Sequence, residues 1–286
     1  MKKISDYAMD VYSQFGEDGI IQQIFNVIGT RSKKCIEFGA WDGFYLSNTA
    51  NLWTNGWEGI LLEGNSDKYQ ELLENVKKYP CISINAWVGC EGSSTLDAIL
   101  TSKNLISDVD FLSIDIDGDD YYIFESLVLL KPRVISCEYN PTIPPWIELT
   151  SPKGDNYFGC SAQSLVKLAE QKGYKLIAMT ETNCFFVVTE EFDRFRDYDT
   201  SFEKLYITKY LTYLITSYDG KYVFSQKPVY GFTTPCKLEL LGDVFFMEVE
   251  NTMQNYEAPP IPTTKQLIYA LWKKFTKFLR SNIGWS

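Results

Sequence analysis

Through the first two-thirds of the chain, short apolar runs alternate with helix-patterned segments, and this alternation limits the fold more tightly than any single motif. Residues 34–38 (KCIEF), 59–63 (GILLE), 81–88, 111–114 (FLSI), 134–139 (VISCEY), 174–179 (YKLIAM) and 183–188 (NCFFVV) read as seven strands. Helices are expected over 13–28, 66–78, 121–130 and 161–172, the second ending at Tyr79 ahead of Pro80 and the last at Gly173. Strand–helix–strand spacing of this kind predicts a doubly wound α/β sheet, mostly parallel, with ligands at the carboxyl ends of its strands. Only residues 180–182 separate the last two strands, so they form a hairpin and one strand runs antiparallel. The first domain is therefore expected over 1–190. A charged, aromatic extension follows over 191–263, with a turn at 218–220 and a stiff linker at Pro259, Pro260 and Pro262, and then a helix over 264–286.

Composition removes several chemistries. The 286 residues include no histidine, which excludes Ser-His-Asp and Cys-His nucleophilic sites and every His-ligated metal. The net charge of −10 argues against nucleic acid as a partner, since phosphate-backbone affinity comes from clustered cations. Seven cysteines, an odd number without a C-x-x-C pair, read as buried free thiols in a reducing compartment. Neither a signal-peptide core nor an apolar run of membrane-spanning length is present, so a cytoplasmic location is expected.

The turn after the first strand, Glu37-Phe38-Gly39-Ala40-Trp41-Asp42-Gly43, stands where such a sheet meets a nucleotide. A dinucleotide site wants glycine two positions after the first, to let backbone approach a pyrophosphate; Trp41 occupies that position here and disfavours an NAD-dependent nucleotide-sugar enzyme. The spacing Gly39-x-x-x-Gly43 resembles instead the acidic-x-Gly-x-x-x-Gly motif of class I S-adenosylmethionine (SAM) methyltransferases. Glu63 ends the second strand 24 residues later, placed to accept two hydrogen bonds from a ribose diol. The alternative reading of these residues is a tight glycine turn followed by a solvated glutamate.

Residues 110–120 (DFLSIDIDGDD) hold five acids in eleven positions. Asp115 ends the fourth strand, and Glu138, Tyr139 and Asn140 end the fifth, which is its neighbour in the usual strand order. Asp115, Glu138 and Asn140 then converge as hard oxygen ligands suited to Mg²⁺. Asp117 substitutes for the missing histidine as the base. Asp119 or Asp120 is expected to cap the helix at Tyr121, and a solvated, capping acidic loop is the plainer reading of the whole segment.

With these residues in view, the chain resembles the FkbM-like SAM-dependent methyltransferases, a family that includes sugar and polysaccharide O-methyltransferases. The resemblance rests on residues 12–19 (YSQFGEDG), 36–43 (IEFGAWDG), 112–121 (LSIDIDGDDY), 138–141 (EYNP), Gly173-Tyr174 and 183–186 (NCFF). It implies a Rossmann-like fold, SAM as cofactor and a sugar or glycan acceptor. The cofactor contacts then expected are Glu37, Gly39, Ala40, Asp42, Gly43, Ser47, Glu63, Asn65, Ala86 and Asp115. Related sugar O-methyltransferases place Mg²⁺ on an acid after the fourth strand and acids after the fifth, which implies Asp115 and Glu138, with Asp117 as base. Where relatives show two adjacent acids after the fifth strand, this chain has Tyr139 after Glu138, leaving Asn140 as the candidate third ligand. Ser13-Gln14 and Glu17-Asp18 either join the SAM site or cap the first helix. A non-catalytic nucleotide- or glycan-binding subunit of a surface-polysaccharide assembly complex is the alternative function.

Residues 264–286 carry five cations (Lys265, Lys273, Lys274, Lys277, Arg280) and no acid, which leaves −15 on the rest of the chain. Leu267, Leu271, Phe275, Phe278 and Leu279 recur at helical spacing. Such a helix lies on an anionic membrane surface, or docks on the acidic body of its own or a partner subunit in a homo-oligomer. Trp146, Tyr157 and Phe158, in the long segment after the fifth strand, are expected in an acceptor-binding lid.

Overall fold

A computed structural model describes residues 1–154, 158–216, 218 and 222–226. In chain order, the first compact unit, Met1–Leu211, contains α1 (Glu17–Ile28), β1 (Lys34–Phe38), α2 (Ala50–Trp53), β2 (Glu58–Glu63), α3 (Ser66–Val76) and β3 (Cys81–Asn85). It continues through α4 (Leu96–Ser102), β4 (Phe111–Ile114), α5 (Asp120–Ser126), β5 (Val134–Glu138), α6 (Ala162–Gln171), β6 (Tyr174–Met179) and β7 (Asn183–Val188). The unit extends past residue 190 through a 3₁₀ segment, Thr189–Phe195. In the second unit, β8 (Leu214–Thr216) pairs antiparallel with β9 (Tyr222–Phe224). Tyr157, Pro259, Pro260, Pro262 and the basic segment 264–286 lie outside the described residues. No helix among the described residues is long and apolar enough to cross a membrane.

The seven strands form one Rossmann-like sheet in the order β3-β2-β1-β4-β5-β7-β6, with β7 antiparallel to both neighbours and every other pairing parallel. The central strands are buried along nearly their whole length because both sheet faces are covered. On one face Ile20, Ile21 and Ile24 of α1 and Trp53 of α2 share a core with Cys35, Leu61, Phe111, Val134, Phe185 and Val187.

Several element boundaries differ from the sequence expectation, each for a local polar reason. The first helix begins at Glu17 rather than at 13, because the backbone N–H groups of Val11, Tyr12 and Ser13 wrap onto the Asp18 carboxylate at 2.8–2.9 Å. The helix expected to reach 130 stops at Ser126, since Asp97 accepts the N–H groups of Val128, Leu129 and Leu130 at 2.7–3.0 Å. The third strand ends at Asn85 rather than at 88, its last pair with Glu63 closed by the Ala86 N–H donating to the Glu63 carbonyl. Helices α2 and α4 were not expected; at 4 and 7 residues they are too short to show a period.

At the amino edge of the sheet, Asp110, fully buried, accepts the N–H groups of Arg31 and Lys33 and the Arg133 guanidinium, all at 2.8 Å. Arg133 also donates to the carbonyl groups of Ile28, the last residue of α1, and Gly29 after it, and to Glu191 at 3.0 Å, stapling the 3₁₀ segment to the sheet. Removing one partner of a buried pair leaves an uncompensated charge, which typically costs about 3–5 kcal/mol. Arg133→Ala is accordingly expected to lower unfolding free energy in urea by that amount, and a loss below about 1 kcal/mol would show that water replaces the guanidinium.

Candidate active site

The carboxyl ends of β1, β2, β4 and β5 meet along one edge, and the turns that leave them carry the predicted residues. Gly39 has φ +68°, and a Cβ there would stand 3.2 Å from the Asp115 carbonyl oxygen, so the turn after β1 lies directly against the end of β4. Gly43, at φ +91°, has a packing task instead: a Cβ would fall 2.9 Å from Leu72 and 3.0 Å from Val76 of α3. Between them Trp41 takes φ +50°, a left-handed conformation costly for a bulky side chain.

Glu63 holds that turn. Its Oε2 accepts the Trp41 N–H at 2.8 Å and its Oε1 the Asn65 N–H at 2.7 Å, while the residue is 4% exposed. A carboxylate offers about four lone-pair directions, so two backbone bonds leave capacity for a diol. Around it, Ala40 donates to the Leu62 carbonyl and Ala86 to that of Glu63. The structure thus brings Gly39, Ala40, Glu63, Asn65 and Ala86 together. Asn65 also serves its own helix, and two other residues from the expected set, Asp42 and Ser47, are occupied with their own loops. Asn65 caps α3 through its Oδ1, Asp42 accepts the N–H groups of Phe44 and Tyr45, and Ser47 donates to Glu37 at 2.6 Å. Trp87 was missed by sequence reasoning. It is 74% exposed and packs on Gly64, where a Cβ would meet its ring at 2.1 Å.

Glu37 is buried under the edge. It accepts from Ser47, Thr49 and the Asn48 N–H, and Asn48 continues through Ser113 to Ser136 in a polar row crossing β4 and β5. Burial pushes its carboxyl pKa up, against the pull of those hydrogen bonds.

Oxygen atoms of Asp115, Asp117 and Glu138 all lie within 4.8 Å of one another, with Asp117 exposed and the other two half-buried. Asn140 is spent on the chain that follows β5: Nδ2 donates to the Phe158 carbonyl at 3.0 Å, and Oδ1 accepts from Thr142 N–H and hydroxyl at 2.9 and 2.6 Å. The third group within reach of Asp115 and Glu138 is therefore Asp117. Burial raises the Asp115 carboxyl well above its usual range, reinforced by Asp120, Asp117, Glu37 and Glu17. Burial does the same to Glu138, followed by the charges of Asp115, Asp120 and Asp117. None of the three is ion-paired to a lysine or arginine among the described residues.

The capping expectation needs correction. Asp119 occupies the N-cap position of α5 without bonding its N–H groups, and its carboxylate accepts the Gly154 N–H at 2.9 Å. Asp120 reaches back to the preceding turn, accepting the N–H groups of Ile116 and Gly118, each at 2.9 Å. The amino-terminal motif divides similarly. Ser13 and Asp18 shape the entry to α1, whereas Glu17 accepts from Thr180 at 2.8 Å and from Asn183 at 3.4 Å, joining the motif at 12–19 to the one at 183–186.

A carboxyl whose folded pKa lies above its unfolded value near 3.8 keeps a proton that the unfolded chain releases. Its contribution to stability is complete below that value and is lost as pH rises through the folded pKa. In chelator, the native protein is expected to lose stability on going from pH 4 to neutral, and Asp115→Asn to lose less and to melt higher at pH 7. Identical pH slopes in thermal denaturation would contradict the raised carboxyl.

No family model matches the chain, and no curated protein does. Among solved structures, a SAM-dependent methyltransferase from Aquifex aeolicus is 10% identical, with 61% of this chain and 90% of that one covered at a TM-score of 0.35. One from Clostridium acetobutylicum is 10% identical over 60% of this chain and 90% of that one, at 0.40. The CurJ carbon methyltransferase is 11% identical over 59% of this chain, which spans about half (52%) of its length, at 0.40. The fold assignment itself rests on the strand order and register of this sheet.

Proposed function

We propose that the chain is a SAM-dependent O-methyltransferase of the FkbM-like kind, acting on a hydroxyl of a sugar or glycan with help from Mg²⁺. The observation that carries the reading is a juxtaposition at one sheet edge. Glu63, held to the Gly39 turn through Trp41, stands two strands from an acidic trio that has no ion-paired lysine or arginine among the described residues. Glu63 would receive the ribose diol, and the Gly39 turn would leave room for the adenosyl group beside the Asp115 carbonyl.

The trio fits a divalent cation by its donor set, since three hard oxygens within 4.8 Å of one another in a half-buried setting repel unless neutralised. Asp115 and Glu138 would hold the ion, with Asp117 adding its charge from within reach of both. When bound, Mg²⁺ supplies charge neutralisation and acidifies a hydroxyl beside it. Asp117, the exposed member, accepts the hydroxyl proton as the oxygen takes the methyl group and the sulfur keeps the bonding pair. Trp146 and Phe158, 67% and 62% exposed, belong to the segment proposed to cover the acceptor. For residues 264–286 we propose contact with an anionic membrane surface, supported by five cations without an acid.

Calorimetry on the purified chain tests the cofactor. SAM binding is expected, weakened at least about 100-fold in Glu63→Ala, since two charge-assisted bonds contribute about 1.5–3 kcal/mol each. NAD binding without SAM binding would overturn the proposal. Sedimentation with anionic vesicles is expected to depend on residues 264–286; equal binding after their deletion would remove the membrane contact.

A further inference from the structure

Asp117 sits in the left-handed region at φ +60°, and the residues on either side of it are tied to one carboxylate. Asp120 Oδ1 accepts the N–H of Ile116 and Oδ2 the N–H of Gly118, each at 2.9 Å, so the two oxygens clamp the turn whose apex is Asp117. The clamp is itself buried: Asp120 is 2% exposed in the first turn of α5. A left-handed aspartate costs about 1–2 kcal/mol, and two charge-assisted bonds are of a size to hold it. The clamped turn thus carries Asp117 at its apex, with a carboxylate oxygen within 4.8 Å of those of Asp115 and Glu138.

Resting on the metal-assisted reading above, we infer that Asp120 is a positioning residue: it makes no contact with substrate or ion, and acts by holding Asp117 where its carboxylate joins Asp115 and Glu138. This gives the fourth acid of the Asp-x-Asp-Gly-Asp-Asp run after β4, Asp120, a task distinct from capping. The sequence conceals that task, because the bonds run backwards from a helix to the turn before it.

The test combines metal binding and structure on the full chain. Mn²⁺ affinity, read by electron paramagnetic resonance, is expected to fall by about 10–100-fold in Asp120→Ala, the range for residues that orient metal-binding groups. Asp117→Asn should lose a similar factor, and the double variant no more than either alone, because both act through one carboxylate. A simple loss of negative charge would make the two effects additive, and additivity would overturn the inference. SAM binding and far-ultraviolet circular dichroism should be unchanged in Asp120→Ala. Its crystal structure should show Asp117 out of the left-handed region and its carboxylate withdrawn from Asp115 and Glu138. An unmoved 116–118 turn would overturn the inference even if the native chain bound no Mn²⁺, while absent Mn²⁺ binding with a displaced turn would remove only the metal.

Discussion

Opposite ends of the same sheet treat buried acids in opposite ways, and much of the structure follows from that difference. At the amino edge Asp110 and Glu191 are neutralised by Arg133, with hydrogen bonds that also close the end of α1. At the carboxyl edge Asp115, Asp117, Asp120 and Glu138 gather with no ion-paired lysine or arginine among the described residues. Burying carboxylates together without a counter-charge raises their proton affinity and costs stability. A fold that spends an arginine at one end and none at the other concentrates its unsatisfied charge at the edge where doubly wound sheets receive ligands.

Of the non-glycine residues with positive φ among the described residues, Lys33, Trp41, Leu46, Asn104 and Asp117, two are held by acids at this edge. Trp41 and Asp117, both non-glycine residues with positive φ, lie in the turns after β1 and β4, and each turn is held by a carboxylate from elsewhere. Glu63 takes the Trp41 N–H, and Asp120 takes the N–H groups flanking Asp117. Strained residues persist only where their surroundings over-determine them, and here a buried acid supplies the constraint in both cases. The candidate site is therefore built of acids in two layers: some face the crevice, while others hold the turns that present them.

The layer facing the crevice was legible in the sequence, and the supporting layer was not. Glu63, Asp115 and Glu138 each end an apolar run, so strand periodicity alone assigned them to one edge. Acids near helix starts usually cap, which is why Asp119 or Asp120 is expected to do so, whereas the bonds of Asp120 to Ile116 and Gly118 depend on a left-handed residue between them that no composition reveals. Asn140 looked like a ligand by residue type, but its amide is consumed by Thr142 and Phe158, partners fixed only when the segment after β5 folds back. The same holds for the fold. The seven strands were visible as runs, whereas the early stop of α5 depends on Asp97, some thirty residues upstream.

The central claim is spatial: Gly39, Glu63 and Asp115 surround one adenosyl group. A crystal structure with S-adenosylhomocysteine tests it most directly. The account predicts the ribose hydroxyls on Glu63, the adenosyl group against the Gly39 turn and the sulfur facing the acidic trio. The same molecule bound away from this edge, or seated here without contact to Glu63, would contradict it.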